Sequence, residues 1–176
     1  MNTFWDHGVK TTLSDIEATT GLNRSSLYNS FGNKEDLFRH AMLCYVDFLE
    51  EWTCKYFNHL SFKDFLKAIL DDAANQNFDG RGCFFYNCIG SAEKFNLKTK
   101  EILDFTYIRI RNIWENRILL AQQKKQLNPE IPSLAYASLI MATIAGLRSF
   151  NQAGFPKEDL QKASALALAH LLSSKV

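Results

Sequence analysis

The sequence has no CxxC pair. Its four cysteines, Cys44, Cys54, Cys83 and Cys88, form two separated pairs with spacings of ten and five residues. Those spacings fit neither a zinc knuckle nor a disulfide framework, so buried reduced thiols are expected. Four histidines, His7, His40, His59 and His170, are scattered without ligand spacing, which leaves no reason to expect a metal site. No GxSxG, HExxH or P-loop string occurs, and no Ser, His and acid grouping suggests a triad, so neither enzymatic activity nor a cofactor is expected. No run of about 18 apolar residues is present to span a membrane. The opening "MNTFWDHG" lacks the basic and apolar regions of a secretory signal, so a cytoplasmic location is expected. Charge of one sign is not in excess either: the net value is +1, and any nucleic acid, membrane or acidic partner must be met by a local patch.

What is present is helical patterning. Hydrophobic residues make up 47% of the chain against only three prolines, a balance that suits a well-packed globular protein. Apolar residues recur at spacings of three and four and hardly ever alternate, so an all-α fold is expected. Breaks at Gly8, Gly21, Gly32, Gly80 with Gly82, Pro129 with Pro132, and Gly154 with Pro156 divide the chain into about nine helices. The first are short: a fragment before Gly8, then about 14–20 and 23–29. A longer helix from Lys34 to about Tyr56 carries Leu37, Ala41, Tyr45, Phe48 and Trp52 on one face and joins two domains, 1–44 and 45–176. Another, about 98–126, places Leu103, Tyr107, Ile110, Trp114 and Ala121 on one stripe and should run roughly 40 Å. Its other face, with Lys100, Glu101, Arg109, Glu115 and Lys125, is expected to be solvated.

The stretch "GLNRSSLYNSFGNK", Gly21 to Lys34, is polar, yet it keeps apolar residues at helical spacing. Ile16, Leu22, Leu27 and Phe31 can form a small core between two short helices joined at Gly21, which is a helix-turn-helix pattern. In that geometry the second helix enters the major groove and its polar face makes the contacts. Arg24, Ser25, Ser26, Asn29 and Ser30 lie away from the core positions. Arg24 can meet guanine or phosphate, Asn29 has the amide suited to adenine, and Asn23 is a good helix N-cap.

These residues resemble the TetR/AcrR family of transcriptional regulators. The resemblance runs through "FWDHGVKTTLSDIEATTGLNRSSLYNSFGNKEDLF", Phe4 to Phe38, about a fifth of the chain. It rests on glycine and Thr-Thr after the first helix, Asp-Ile in the second, Gly-Leu at the turn, then Leu-Tyr, Phe and Lys-Glu-x-Leu. It implies an N-terminal DNA-binding domain and a C-terminal helical domain for ligand binding and dimerisation. It also implies that Thr12 and Tyr28 bind phosphate oxygens, that Lys34 opens the fourth helix and clamps the backbone, and that Arg24, Ser25, Ser26 and Asn29 face the groove. The expected activity is that of a repressor released from a two-fold operator by a small-molecule inducer.

Two features depart from the family pattern. Only about six residues precede Gly8, fewer than the family's first helix, so Met1 is expected to fall inside a truncated first helix. Residues 1–40 hold four Lys or Arg against five Asp or Glu, a net of −1 where phosphate contact calls for positive charge. These features admit a second reading, a helical ligand-binding dimer that does not bind DNA.

Between Phe57 and Trp114 aromatic residues are dense and include Phe62, Phe65, Phe78, Phe84, Phe85, Tyr86, Phe95, Phe105 and Tyr107. Rings with a few polar tips suit a small-molecule cavity, although rings at helical spacing also build ordinary core. Phe62, Cys83, Tyr86, Asn87, Phe105, Tyr107 and Trp114 are the candidate ligand contacts. "DGRGCFFYNCIGSAE", Asp79 to Glu93, reads as a glycine-hinged loop before a helix, and Arg81 close to Cys83 and Cys88 raises a third reading, a thiol-based redox or electrophile sensor. The last two helices, about 133–151 and 158–173, are rich in alanine. Leu139, Ile140, Leu147, Leu160, Leu166 and Leu171 give them apolar surface, which suits either core or a homodimeric four-helix bundle.

Overall fold

The computed structural model describes residues 1–57, 59–75, 82–89 and 95–173, without the side chains of Val9, Tyr56 and Phe57. Phe78, Asp79, Gly80, Arg81 and Glu93, singled out above, lie outside the described residues. Every regular element described is helical: α1 (Asn2–His7), a 3₁₀ turn (Gly8–Lys10), α2 (Leu13–Thr20), α3 (Arg24–Phe31), α4 (Lys34–Phe57), α5 (Phe62–Asn75), α6 (Phe84–Ile89), α7 (Leu97–Gln123), α8 (Ser133–Gln152) and α9 (Lys157–Ser173). The chain is all-α, as its periodicity indicates.

By contact it divides into two compact units, one of residues 1–51 with 83–109 and the other of 52–82 with 110–176. This differs from a division at residue 44, because residues 83–109 pack with α1, the 3₁₀ turn and α4. Aromatic side chains account for that. The Phe38 ring lies 5.5 Å from Phe4, 5.7 Å from Phe84 and 5.4 Å from Phe95, and Tyr45 lies 4.9 Å from Trp5 and 5.6 Å from Phe84. Such edge-on and offset ring pairs add to the stabilisation from burial alone. Arg109 on α7 closes the same unit, pairing with Asp47 at 2.9 Å and Glu50 at 2.8 Å on α4, so it does not stand free on a solvated face.

The second unit packs α5, α8 and α9 together. Leu66, Leu70 and Ala74 of α5 and Ile140 and Ala137 of α8 are fully enclosed. Polar ties supplement the apolar contacts: Asn151 donates to the carbonyls of Ala73 and Ala74, and Arg148 pairs with Asp72 at 3.0 Å. By length and composition alone α8 could cross a membrane, but this ion pair and these hydrogen bonds set it in a helical core. The Phe65 ring lies tilted against Trp114 at 5.2 Å and under the Arg117 guanidinium at 4.6 Å.

Several expected faces are rotated. On α4 the buried side chains are Phe38, Ala41, Met42, Tyr45 and Val46, while Phe48 is exposed. On α7 Thr99, Ile102, Leu103, Thr106, Ile110 and Trp114 are buried, and Tyr107 is exposed with Thr106 in the expected place. Glu115 accepts a hydrogen bond from Ser133. α7 also ends three residues early. Lys125 adopts φ 55° and the Gln126 N–H donates to the Ala121 carbonyl, so the chain turns over and buries Leu127, while the Gln122 amide caps the carbonyls of Asn128 and Ile131.

Candidate nucleic-acid interface

α2 begins at a reciprocal cap. The Thr12 hydroxyl accepts from the Asp15 N–H at 3.2 Å, and Asp15 Oδ2 accepts from both the Thr12 N–H and the Thr12 hydroxyl at 2.7 Å. Hydrogen bonds from the Thr12 backbone and then its side chain hold the Asp15 carboxyl below the usual carboxylate value. The Thr-x-x-Asp spacing is a sequence signal for this cap.

The turn follows at Gly21, which has φ 69° and donates its N–H to the Glu17 carbonyl. Glycine suits this left-handed position because a Cβ would crowd the adjacent carbonyl. A Cβ at Gly21 would meet nothing else within 4 Å. Gly21→Ala is therefore expected to cost roughly 1 kcal/mol from backbone strain alone, read as a small fall in the denaturation midpoint. Leu22, expected in the small core, is instead exposed, because it occupies the extended link between the turn and the Asn23 cap.

Asn23 caps α3 by accepting from the Ser26 N–H at 2.8 Å. Leu27 is the anchor of this helix at 4% exposure, and Phe31 is half-buried with its ring 5.7 Å from His40. With Leu27 turned inward, Arg24, Ser25, Tyr28, Asn29 and Ser30 are exposed and Ser26 is half-buried. Arg24 with Tyr28 and Ser25 with Asn29 form neighbouring i, i+4 rows on the outer surface. This is the arrangement that a groove-reading helix needs: one apolar anchor and an outward row of donors and acceptors.

Lys34 opens α4 and is half-buried. Its ammonium donates to the Thr11 carbonyl at 2.8 Å, across 23 residues of sequence. Asn33 caps the same helix by accepting from the Glu35 and Asp36 N–H groups.

The seven candidate ligand contacts do not gather in one unit. Cys83, Tyr86, Asn87, Phe105 and Tyr107 belong to the first, Phe62 and Trp114 to the second. Cys83, Phe62 and Trp114 are buried, Tyr86 and Asn87 half-buried, and Phe105 and Tyr107 exposed. Cys83 accepts a hydrogen bond from the Tyr45 hydroxyl at 2.9 Å. Burial first, then the neighbouring Cys83, pushes the Cys88 thiol up to about 12. A thiol so shifted is protonated at neutral pH and is a poor nucleophile.

Residues 1–41 match the family model for bacterial regulatory proteins of the tetR family. The HTH-type transcriptional repressor ComR of Escherichia coli (strain K12) is 44% identical over 48 residues, 27% of this chain and 23% of that repressor's own length. The sequence likeness to ComR thus spans less than a quarter of that protein.

The fold comparison extends over nearly the whole chain. A TetR transcriptional regulator from Chloroflexus aurantiacus J-10-FL matches with a TM-score of 0.78 at 22% identity, covering 97% of this chain and 89% of that one. The TetR-family regulator CifR, as a cysteine mutant complexed with 26-bp double-strand operator DNA, matches at 0.77 with 19% identity, covering 96% and 91%. The regulator FadR from Bacillus subtilis, in complex with stearoyl-CoA, matches at 0.66 with 18% identity, covering 99% and 95%. The first 41 residues carry the TetR-family sequence, and the chain as a whole has the fold of TetR-family regulators.

Proposed function

We propose that this protein is a cytoplasmic transcriptional regulator, a repressor, that binds two-fold operator DNA as a homodimer and releases it on binding a small molecule. The observation that carries this reading is α3. A helix anchored at Leu27 leaves Arg24, Ser25, Tyr28 and Asn29 exposed, in a segment whose sequence matches the tetR model. Arg24, Ser25, Ser26 and Asn29 face the groove, while Thr12, Tyr28 and Lys34 hold the phosphate backbone. The solved CifR complex with operator DNA and the FadR complex with stearoyl-CoA support duplex DNA and a small molecule as partners for this fold.

α8 and α9 are the proposed dimer face. Ile140, Leu147, Leu160 and Leu171 serve the core of the unit, but Leu139 and Leu166 remain 49% and 72% exposed beside small alanines. A second copy would cover them as the other half of a four-helix bundle. Dimerisation also sets the half-sites about one helical turn, roughly 34 Å, apart. Release is a population shift: a ligand that binds better to the form with displaced reading helices draws the dimer off DNA. The reading assigns the chain no reaction and no cofactor.

One observation favours the second reading, a helical ligand-binding dimer without DNA binding: the net charge of −1 over residues 1–40. Operator selection from random duplexes, followed by titration at low salt, separates the two. The repressor reading expects a selected palindrome and loses its basis if no duplex binds. Asn29→Ala is expected to relax preference at one base pair by about 1–3 kcal/mol. Tyr28→Phe is expected to weaken all sequences alike. Selective loss at one base for Tyr28→Phe would reverse those roles. The buried Cys83 and the protonated Cys88 weigh against the thiol-sensor reading.

A further inference from the structure

The Thr11–Thr12 peptide is gripped at both ends. Its carbonyl accepts from the Lys34 ammonium at 2.8 Å, and its N–H donates to Asp15 Oδ2 at 2.7 Å. Thr11 itself is fully buried, and its hydroxyl donates to the Gly8 carbonyl at 2.8 Å and toward the Thr3 carbonyl at 3.2 Å. The first helix, the 3₁₀ turn, the start of α2 and the start of α4 therefore meet at this one peptide. Rotation of its plane would swing Thr12, whose hydroxyl donates to the Asp15 carboxylate and accepts from the Asp15 N–H.

We propose that Lys34 is a positioning residue for DNA binding: by holding the Thr11 carbonyl it orients Thr12 toward the phosphate backbone. This inference rests on the DNA-binding reading above and assigns Lys34 a role beyond that of an independent backbone clamp. A lysine ammonium has three donors, and the bond to Thr11 uses one, so the charge remains near the duplex while the bond sets geometry. The hydrogen bond crosses from α4 to the α2 cap, so displacement of α4 on ligand binding would move Thr12 with it.

The test is a double-mutant cycle on the full chain, with affinity for a selected operator read for Lys34→Met, Thr12→Val and the pair. Each single change is expected to weaken binding on the order of tenfold, and the pair little more than the larger single, because groups that share one network do not act independently. Lys34→Met with Tyr28→Phe is expected to multiply, since Tyr28 sits on α3 outside the network. Lys34→Arg, which retains a long donor, should restore most of the affinity. Without DNA, protection of the Thr12 amide from hydrogen exchange should fall in Lys34→Met and persist in Lys34→Arg.

If the Lys34→Met and Thr12→Val losses simply multiply and Thr12 protection is unchanged, Lys34 is an independent phosphate contact and the positioning role is overturned, while the regulator reading stands. If the unsubstituted protein binds no duplex at low salt, both are overturned.

Discussion

Phe38→Ala is expected to lower the stability of the first unit by about 3–5 kcal/mol, the usual cost of emptying a buried aromatic site. Phe38 is 4% exposed, and its ring meets Phe4 of α1, Phe84 of α6 and Phe95 ahead of α7. Truncation removes three ring contacts at once and leaves a cavity between elements that are far apart in sequence. Relaxation can fill little of it, because Met42 and Val46 on the next turns of α4 are already fully enclosed. Phe38→Leu keeps much of the volume and should cost roughly 1.5 kcal/mol or less. Denaturant unfolding of the whole chain, with amide exchange followed through the first half of α4, measures both. A loss below roughly 1 kcal/mol for Phe38→Ala would mean that this cluster does not hold residues 83–109 against α1 and α4.

Arg148→Met is expected to destabilise the second unit by a similar amount, about 3–5 kcal/mol at neutral pH, by leaving a buried carboxylate without its cation. The side chains of Asp72 and Arg148 are 10% and 16% exposed, and Asp72 Oδ1 has no hydrogen-bond partner among the described residues. Burial raises the Asp72 carboxyl above 3.8 by more than Arg148 lowers it, so the folded chain holds this proton more tightly than the unfolded chain does. Stability from Asp72 is therefore fully present below the unfolded value and is lost as pH rises through the folded one. Removing Arg148 lifts the folded value further, so the deficit of Arg148→Met should grow as pH rises from the ordinary carboxyl value of 3.8 toward neutral pH. Asp72→Leu combined with Arg148→Met should recover most of the loss, because apolar side chains of similar volume need no desolvated charge pair. Urea unfolding across that range checks the sign. A deficit that shrinks toward neutral pH, or a double variant no better than the single, would refute this account.

Much of the fold could be read from residue type and spacing. Asn23 before α3, Gly21 at the turn and Pro132 before α8 mark boundaries by local chemistry: a cap, left-handed backbone and a missing N–H act within one turn. α3 was legible for the same reason. Leu27 is the apolar anchor of "RSSLYNSF", and its neighbours are polar because they stay at the surface.

The phase of the longer helices was harder to read. α4 and α7 carry apolar residues on more than one face, so periodicity allowed Phe48 and Tyr107 inside although both are exposed. Thr106 is fully buried, although a hydroxyl by its type suits the surface as well as the core. The same holds for Asp72 and Arg148, 76 residues apart, which no local pattern pairs.

The sequence by itself determined an all-helical chain with a TetR-like helix-turn-helix and the exposed polar row on α3. Those properties depend on torsion preferences, capping and the spacing of apolar residues within single helices. Only the tertiary structure decided that residues 83–109 pack with residues 1–51, that Lys34 grips the Thr11 carbonyl, and that Asp72 and Arg148 are buried together. Each of these is a contact between segments distant along the chain, and such contacts are set by shape and desolvation in the assembled core, which a local pattern does not encode.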